Sequence, residues 1–121
     1  MSEEVVNLSD EILRKNQILE NMRREIRGRS ERKAKAISNY DKRLALIMIK
    51  LRNGVDITFE GQQVKDTPTT IIEKIARGMC WKERLEMEEA DAEYKSLITN
   101  IETVKAEMNG LQSINKHLGQ I

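Results

Sequence analysis

The side chains in this sequence that could do chemistry are one histidine, one cysteine and a dense run of carboxylates. A lone imidazole works as a base or a metal ligand only beside a partner that orients it. His117 instead falls in the last turn of an apparent helix, where a cation favours the helix dipole. Cys80 stands between Met79 and Trp81 with no second cysteine and no nearby histidine, so it reads as a small helix residue rather than a nucleophile or metal ligand. The run Glu83, Glu86, Glu88, Glu89, Asp91 and Glu93 lacks the Glu-x-x-His spacing of di-iron bundles. The glycines in "NGVD" and "EGQQ" lack the lysine and the spacing of a phosphate-binding loop. No catalytic residue, cofactor site or metal site is assigned, and the chain is read as not an enzyme.

Composition points to long helices. The chain has 121 residues, 34% of them charged, with a net charge of only +1 and 3% aromatic residues (Tyr40, Phe59, Trp81, Tyr94). Abundant Glu, Lys, Arg, Leu and Ile with few aromatics suit helix pairs better than a thick globular core. A single cysteine forms no intrachain disulfide, which suggests a reducing compartment. The start "MSEEVVNLSDE" lacks the basic-then-apolar order of a signal peptide. The longest apolar run, Leu44 to Ile49, falls far short of the ~20 residues a membrane helix needs. A soluble, cytoplasmic protein that does not enter the membrane is expected.

The elements follow from caps and periodicity. Ser9 is a candidate N-cap, with Leu8 and Leu13 placed as a hydrophobic staple. Apolar residues then recur as Ile12, Leu19, Met22 and Ile26, and later as Ile37, Tyr40, Leu44, Ile47 and Leu51. The second set steps like a heptad seam, and the phase slips between the sets near Gly28 and Ser30. Asn53-Gly54 closes this helix, predicted over 9–53. A second helix, 67–118, is expected to open with Thr67 as cap and Pro68 at the first helical position, with Thr70 and Glu73 as an alternative capping box. Its seam runs Ala90, Tyr94, Leu97, Ile101, Val104, Met108, Leu111, Asn115 and Leu118, with Asn115 as a polar register-fixing position. Gly78 and Gly110 interrupt the pattern, each costing ~1 kcal/mol against alanine.

Between the helices, residues 54–66 alternate as Val55, Ile57 and Phe59, turn at Glu60-Gly61 and return through Gln63-Val64. This predicts a small β-hairpin, which is marginal alone and must lean on the helices or on a partner. The fold class is therefore all-α: one domain, 1–121, an antiparallel two-helix coiled-coil hairpin with a β-hairpin at the connecting tip. Two helices leave apolar flanks such as Leu46, Met48, Ile49, Ile71, Ile98 and Ile114 uncovered, so oligomerisation into a helical bundle is expected. Ile57, Phe59, Val64 and Trp81 are the candidate partner-binding residues, Trp81 because tryptophan is enriched in binding hot spots.

The segment "RREIRGRSERKAK", residues 23–35, has seven basic side chains against two acidic ones. A fold-back through the short connector sets it beside residues 85–97, and so against the carboxylate run. That register makes it a charge zipper within the chain, worth ~0–1 kcal/mol per exposed pair. The alternative is a nucleic-acid site built from Arg23, Arg24, Arg27, Arg29, Arg32, Lys33 and Lys35, with affinity that falls steeply with salt.

The layout, with the closing "YKSLITNIETVKAEMNGLQSINKHLGQI" (94–121), resembles the small helical accessory proteins encoded by phages and prophages of Gram-positive bacteria. That resemblance implies a stoichiometric binder of a host or phage protein in the host-cell cytoplasm. In architecture alone, helix, β-hairpin and helix are similar to the prefoldin β-type subunit, which implies a holdase chaperone. Three functions compete: a self-associating protein-interaction module, a nucleic-acid-binding factor and a holdase.

Overall fold

The structure is a computed structural model that describes residues 3–119. It is 85% helical, an all-α helical hairpin with a small two-stranded antiparallel sheet between its long helices. In order come α1 (Glu3–Arg52), β1 (Ile57–Phe59), β2 (Gln62–Val64), a 3-10 turn (Thr69–Ile71), α2 (Ile72–Met79) and α3 (Trp81–Gly119). The chain divides into two compact units, Met1–Ser30 with Ala92–Ile121, and Glu31–Asp91.

The first unit is held by Leu19 of α1 against Leu97, Ile101 and Val104 of α3, with Ile18, Met22, Ile26 and Met108 packed around them. Leu19 is 1% exposed. Burying a leucine fully is worth roughly 1.5–3 kcal/mol, so this small cluster dominates the local apolar contribution. Lys15 of α1 pairs with Glu107 of α3, and Arg29 Nη1 donates to the Glu93 carbonyl at 2.9 Å. Both contacts run in the antiparallel sense.

The second unit has its core in Tyr40, Ile47 and Leu51 of α1 with Ile72, Ala76, Met79 and Cys80. Ala76 and Cys80 have no exposed surface at all. Lys33 to Asp91 (3.0 Å) and Arg43 to Glu83 (3.1 Å) bridge the helices here, again antiparallel.

Every position of the seam expected on α3, from Ala90 to Leu118, is buried or half-buried. The phase slip expected near Gly28 and Ser30 is not where α1 departs from a heptad. Arg29 and Lys33 are half-buried and Ala36 is buried, so the inner face steps from Ile26 through these residues to Tyr40 without a break. Long basic stems cover apolar surface while their charged heads reach out. The slip comes later, where buried and half-buried positions run Ala36, Tyr40, Leu44 in two steps of four.

Two helix boundaries differ from expectation. α1 already begins at Glu3, so Ser9 lies inside it and does not cap; Glu3 and Glu4 supply negative charge to the first turn instead. The single helix expected over 67–118 is also divided. Pro68, extended at φ −58°, ψ 139°, precedes the 3-10 turn with no side-chain cap, and Thr67 is not the cap residue. At Cys80 the backbone opens to φ −94°, ψ 23°, its N–H shared between the Ala76 and Arg77 carbonyls, both at 3.2 Å. The Cys80 carbonyl then accepts the Arg84 N–H at 3.0 Å and starts α3.

The end of α1 follows the Asn53-Gly54 signal. Gly54 has φ 72°, its N–H donates to the Leu51 carbonyl (3.2 Å), and the Val55 N–H donates to the Lys50 carbonyl (2.9 Å). These paired bonds satisfy carbonyls that a helix end otherwise leaves open. In the hairpin, Ile57 pairs with Val64 and Phe59 with Gln62 around the two-residue turn Glu60-Gly61. Both turn residues have positive φ, 48° and 79°, as a type I′ turn requires.

Candidate interaction surface

The hairpin residues expected to meet a partner are largely committed within the chain. Ile57, Phe59 and Val64 are half-buried and pack against the core of the second unit. They supply the support that an isolated hairpin needs. Trp81, by contrast, is 44% exposed, and the hairpin acts on it from one side. Glu60 Oε1 accepts a hydrogen bond from Trp81 Nε1 at 3.0 Å. The Lys82 ammonium sits 5.5 Å from the indole centroid, within cation–π range. The indole edge is thus hydrogen-bonded and Lys82 lies over the ring, while 44% of the residue stays exposed.

Around Trp81 the surface forms an open groove of about 490 Å³ lined by Lys74, Arg77 and Gly78 of α2 and by Trp81, Arg84, Leu85 and Glu88 of α3. Leu85 is 48% exposed, and a Cβ built on Gly78 meets nothing within 4 Å, so the glycine faces open space. Arg77 bonds Glu73 at 2.7 Å and Arg84 bonds Glu88 at 3.2 Å. The Glu73 carboxylate, by hydrogen bond and charge, raises the Arg77 pKa further above its ordinary value. Sequence reasoning identified Trp81 and noted Gly78 but missed Leu85. The signal was partial: Trp81 and Leu85 lie four residues apart in α3 and are both exposed, while Gly78 belongs to α2, before the break at Cys80.

The basic run is not one uniform surface. Arg29 reaches the Glu93 carbonyl and also Glu25 at 3.3 Å, Lys33 reaches Asp91, and Arg23 bonds Glu20 at 3.0 Å. Arg32 and Lys35 line a groove whose other side carries Glu86 and Glu89. Arg24 and Arg27 are exposed. Lys33–Asp91 is a cross-helix ion pair of the kind the charge-zipper reading expects, whereas Arg23 and Arg29 pair with glutamates of their own helix.

Cys80 is fully buried, and burial pushes its thiol pKa up; the Arg43 guanidinium offsets part of that rise. A protonated, inaccessible thiol is a poor nucleophile. Glu83 uses one oxygen on Arg43, while its Oε2 is buried without a hydrogen-bond partner. His117 is exposed in the last turn of α3. Among the described residues no cluster of His, Cys, Asp and Glu is arranged to hold a metal ion, and no helix is long and apolar enough to cross a membrane. No protein-family model, curated protein or solved structure matches the chain.

Proposed function

We propose that the chain is a non-enzymatic protein-interaction module and that its partner docks on the Trp81 groove. One observation carries this reading: a large aromatic side chain, 44% exposed, donates a hydrogen bond to Glu60 of the hairpin turn. Pre-organised aromatic anchors beside apolar surface are where binding energy concentrates. The resemblance of residues 94–121 to phage accessory proteins agrees with a stoichiometric binder acting on a host or phage protein in the cytoplasm. Self-association belongs to the same reading and falls on other flanks, where Leu13, Leu46, Ile49 and Ile114 are each at least half exposed.

The test is affinity capture from the cell that makes the protein, comparing the natural chain with Trp81→Ala and with Leu85→Ala. The reading expects one or a few proteins retained by the natural chain and lost with both variants at equal folded concentration. A holdase instead retains many unrelated unfolded clients regardless of Trp81. A nucleic-acid factor binds DNA or RNA with steep salt dependence, and Arg24→Glu with Arg27→Glu removes that binding.

A further inference from the structure

We infer that a second groove, between α1 and the start of α3, binds a second copy of this chain, with α1 of each copy lying over α3 of the other. This rests on the self-association part of the interaction reading and does not involve the Trp81 groove. Two open hollows of about 440 and 310 Å³ run along this flank and share Asn39 and Glu86. Their α1 wall carries Arg32, Lys35, Lys42 and Arg43, whereas every residue of their α3 wall is a glutamate: Glu83, Glu86 and Glu89. Arg43 and Glu83 already pair across the groove at 3.1 Å. Among the described residues, Lys35, Lys42, Glu86 and Glu89 are exposed and make no ion pair or side-chain hydrogen bond.

One wall of each sign decides what fits. A partner of a single sign is attracted by one wall and repelled by the other. A second copy satisfies both, and only in one arrangement. A two-fold axis running along the helices turns the basic wall of each copy onto the acidic wall of the other at the same level, so Lys35 and Lys42 meet Glu86 and Glu89 of the second copy. An axis across the helices sets like charge on like, which repulsion disfavours. Leu46 adds an apolar contact. It is 50% exposed and also lines a hollow of about 270 Å³ toward the hairpin, where Lys50 continues the α1 wall and Ile57, Phe59 and Met79 are apolar lining. The same two-fold brings Leu46 of each copy to the hairpin side of the other. Burial there supplies affinity, and the charged walls supply register.

Light scattering coupled to size exclusion reads the mass of the full chain against the 14.0 kDa of one copy, over a dilution series at low and high salt. The natural chain is expected to reach twice that mass. Lys35→Glu with Lys42→Glu puts carboxylates on both walls, and Glu86→Lys with Glu89→Lys puts ammonium groups on both. Each double variant is expected to associate at least ~10-fold more weakly than the natural chain. Mixing the two restores a dimer with one copy of each, and the chain carrying all four changes restores a dimer with itself. Both rescues weaken in high salt. Leu46→Ala weakens association without altering charge. Circular dichroism checks that every variant keeps its helix content, and the four-change chain, equal in net charge to the natural one, separates a wall effect from misfolding. Association indifferent to both double variants overturns this face and moves self-association to another flank. Association lost in both variants with neither rescue overturns it as well. A natural chain of 14.0 kDa throughout overturns the inference and self-association together, and leaves any occupant of this groove a different protein. Capture through Trp81 is unaffected by any of these results, so the two readings fail separately.

Discussion

The indole Nε1 of Trp81 donates to Glu60 Oε1 at 3.0 Å, tying the first residue of α3 to a turn residue at φ 48°. A glutamate rarely occupies the left-handed region, since its Cβ crowds the backbone there. The hydrogen bond gives the strained residue a contact role: it orients the exposed ring.

This relationship is directly testable. Glu60→Ala removes the acceptor, and Glu60→Gln keeps one. In a proton NMR spectrum the single indole N–H should move upfield and exchange faster with solvent in the alanine variant, and stay near its original position in the glutamine variant. The lost bond should cost about 0.5–1.5 kcal/mol in a thermal melt. An indole signal indifferent to both changes removes the anchoring argument.

Glycines here divide by sign. Gly61 sits at φ 79° and Gly54 at φ 72°, so alanine at either should destabilise by about 1 kcal/mol. Gly78 lies in α2 with open space where a Cβ would go, so Gly78→Ala should stabilise by up to about 1 kcal/mol. Urea melts of the three variants compare them on one scale. Equal destabilisation by all three contradicts the backbone assignments.

Lys33 and Asp91 form the clearest ion pair between the basic run and the acidic run, with side chains about a third exposed. Lys33→Glu and Asp91→Lys should each destabilise, and the double exchange should restore part of the loss. The coupling should be about 0.2–1 kcal/mol, shrinking as salt screens it. Strict additivity at low salt contradicts a pairwise contribution.

Burial raises the pKa of Cys80, so the folded state holds its thiol proton more tightly than the unfolded chain does. The associated stability is present below the unfolded thiol pKa, about 8.5, and is lost as pH rises through the higher folded value. Stability should therefore decline on the alkaline side, and Cys80→Ala should flatten that limb relative to the natural chain. Iodoacetamide should label the native thiol slowly at pH 8 and rapidly in urea. Rapid native labelling contradicts the buried placement.

How much of this was legible depends on what each residue shows in one dimension. The α3 seam from Ala90 to Leu118 and the hairpin around Glu60-Gly61 are spelled in apolar spacing and turn chemistry, and both stand as read. The inner face of α1 was obscured because Arg29 and Lys33 hold seam positions with side chains that pattern reading sets aside as polar. Ser9 has good cap chemistry, but charged residues upstream continue the helix past it, so local preference yields to a longer run. The division at Cys80 has no proline or glycine at the break itself. Of the candidate surface, Trp81 was visible by type and Gly78 as a break in the pattern; Leu85 was hidden because one exposed leucine looks like scatter until the buried seam is known.

The central claim is that the outer face around Trp81 is where this chain meets its partner. A photo-crosslinking amino acid placed at Leu85, in that groove, and separately at Glu102, an exposed position outside it, tests this inside the cell that makes the protein. The account expects a discrete adduct with a different protein from position 85, lost when Trp81→Ala is added, and none from position 102. No adduct from position 85, or the same adducts from both positions, contradicts it.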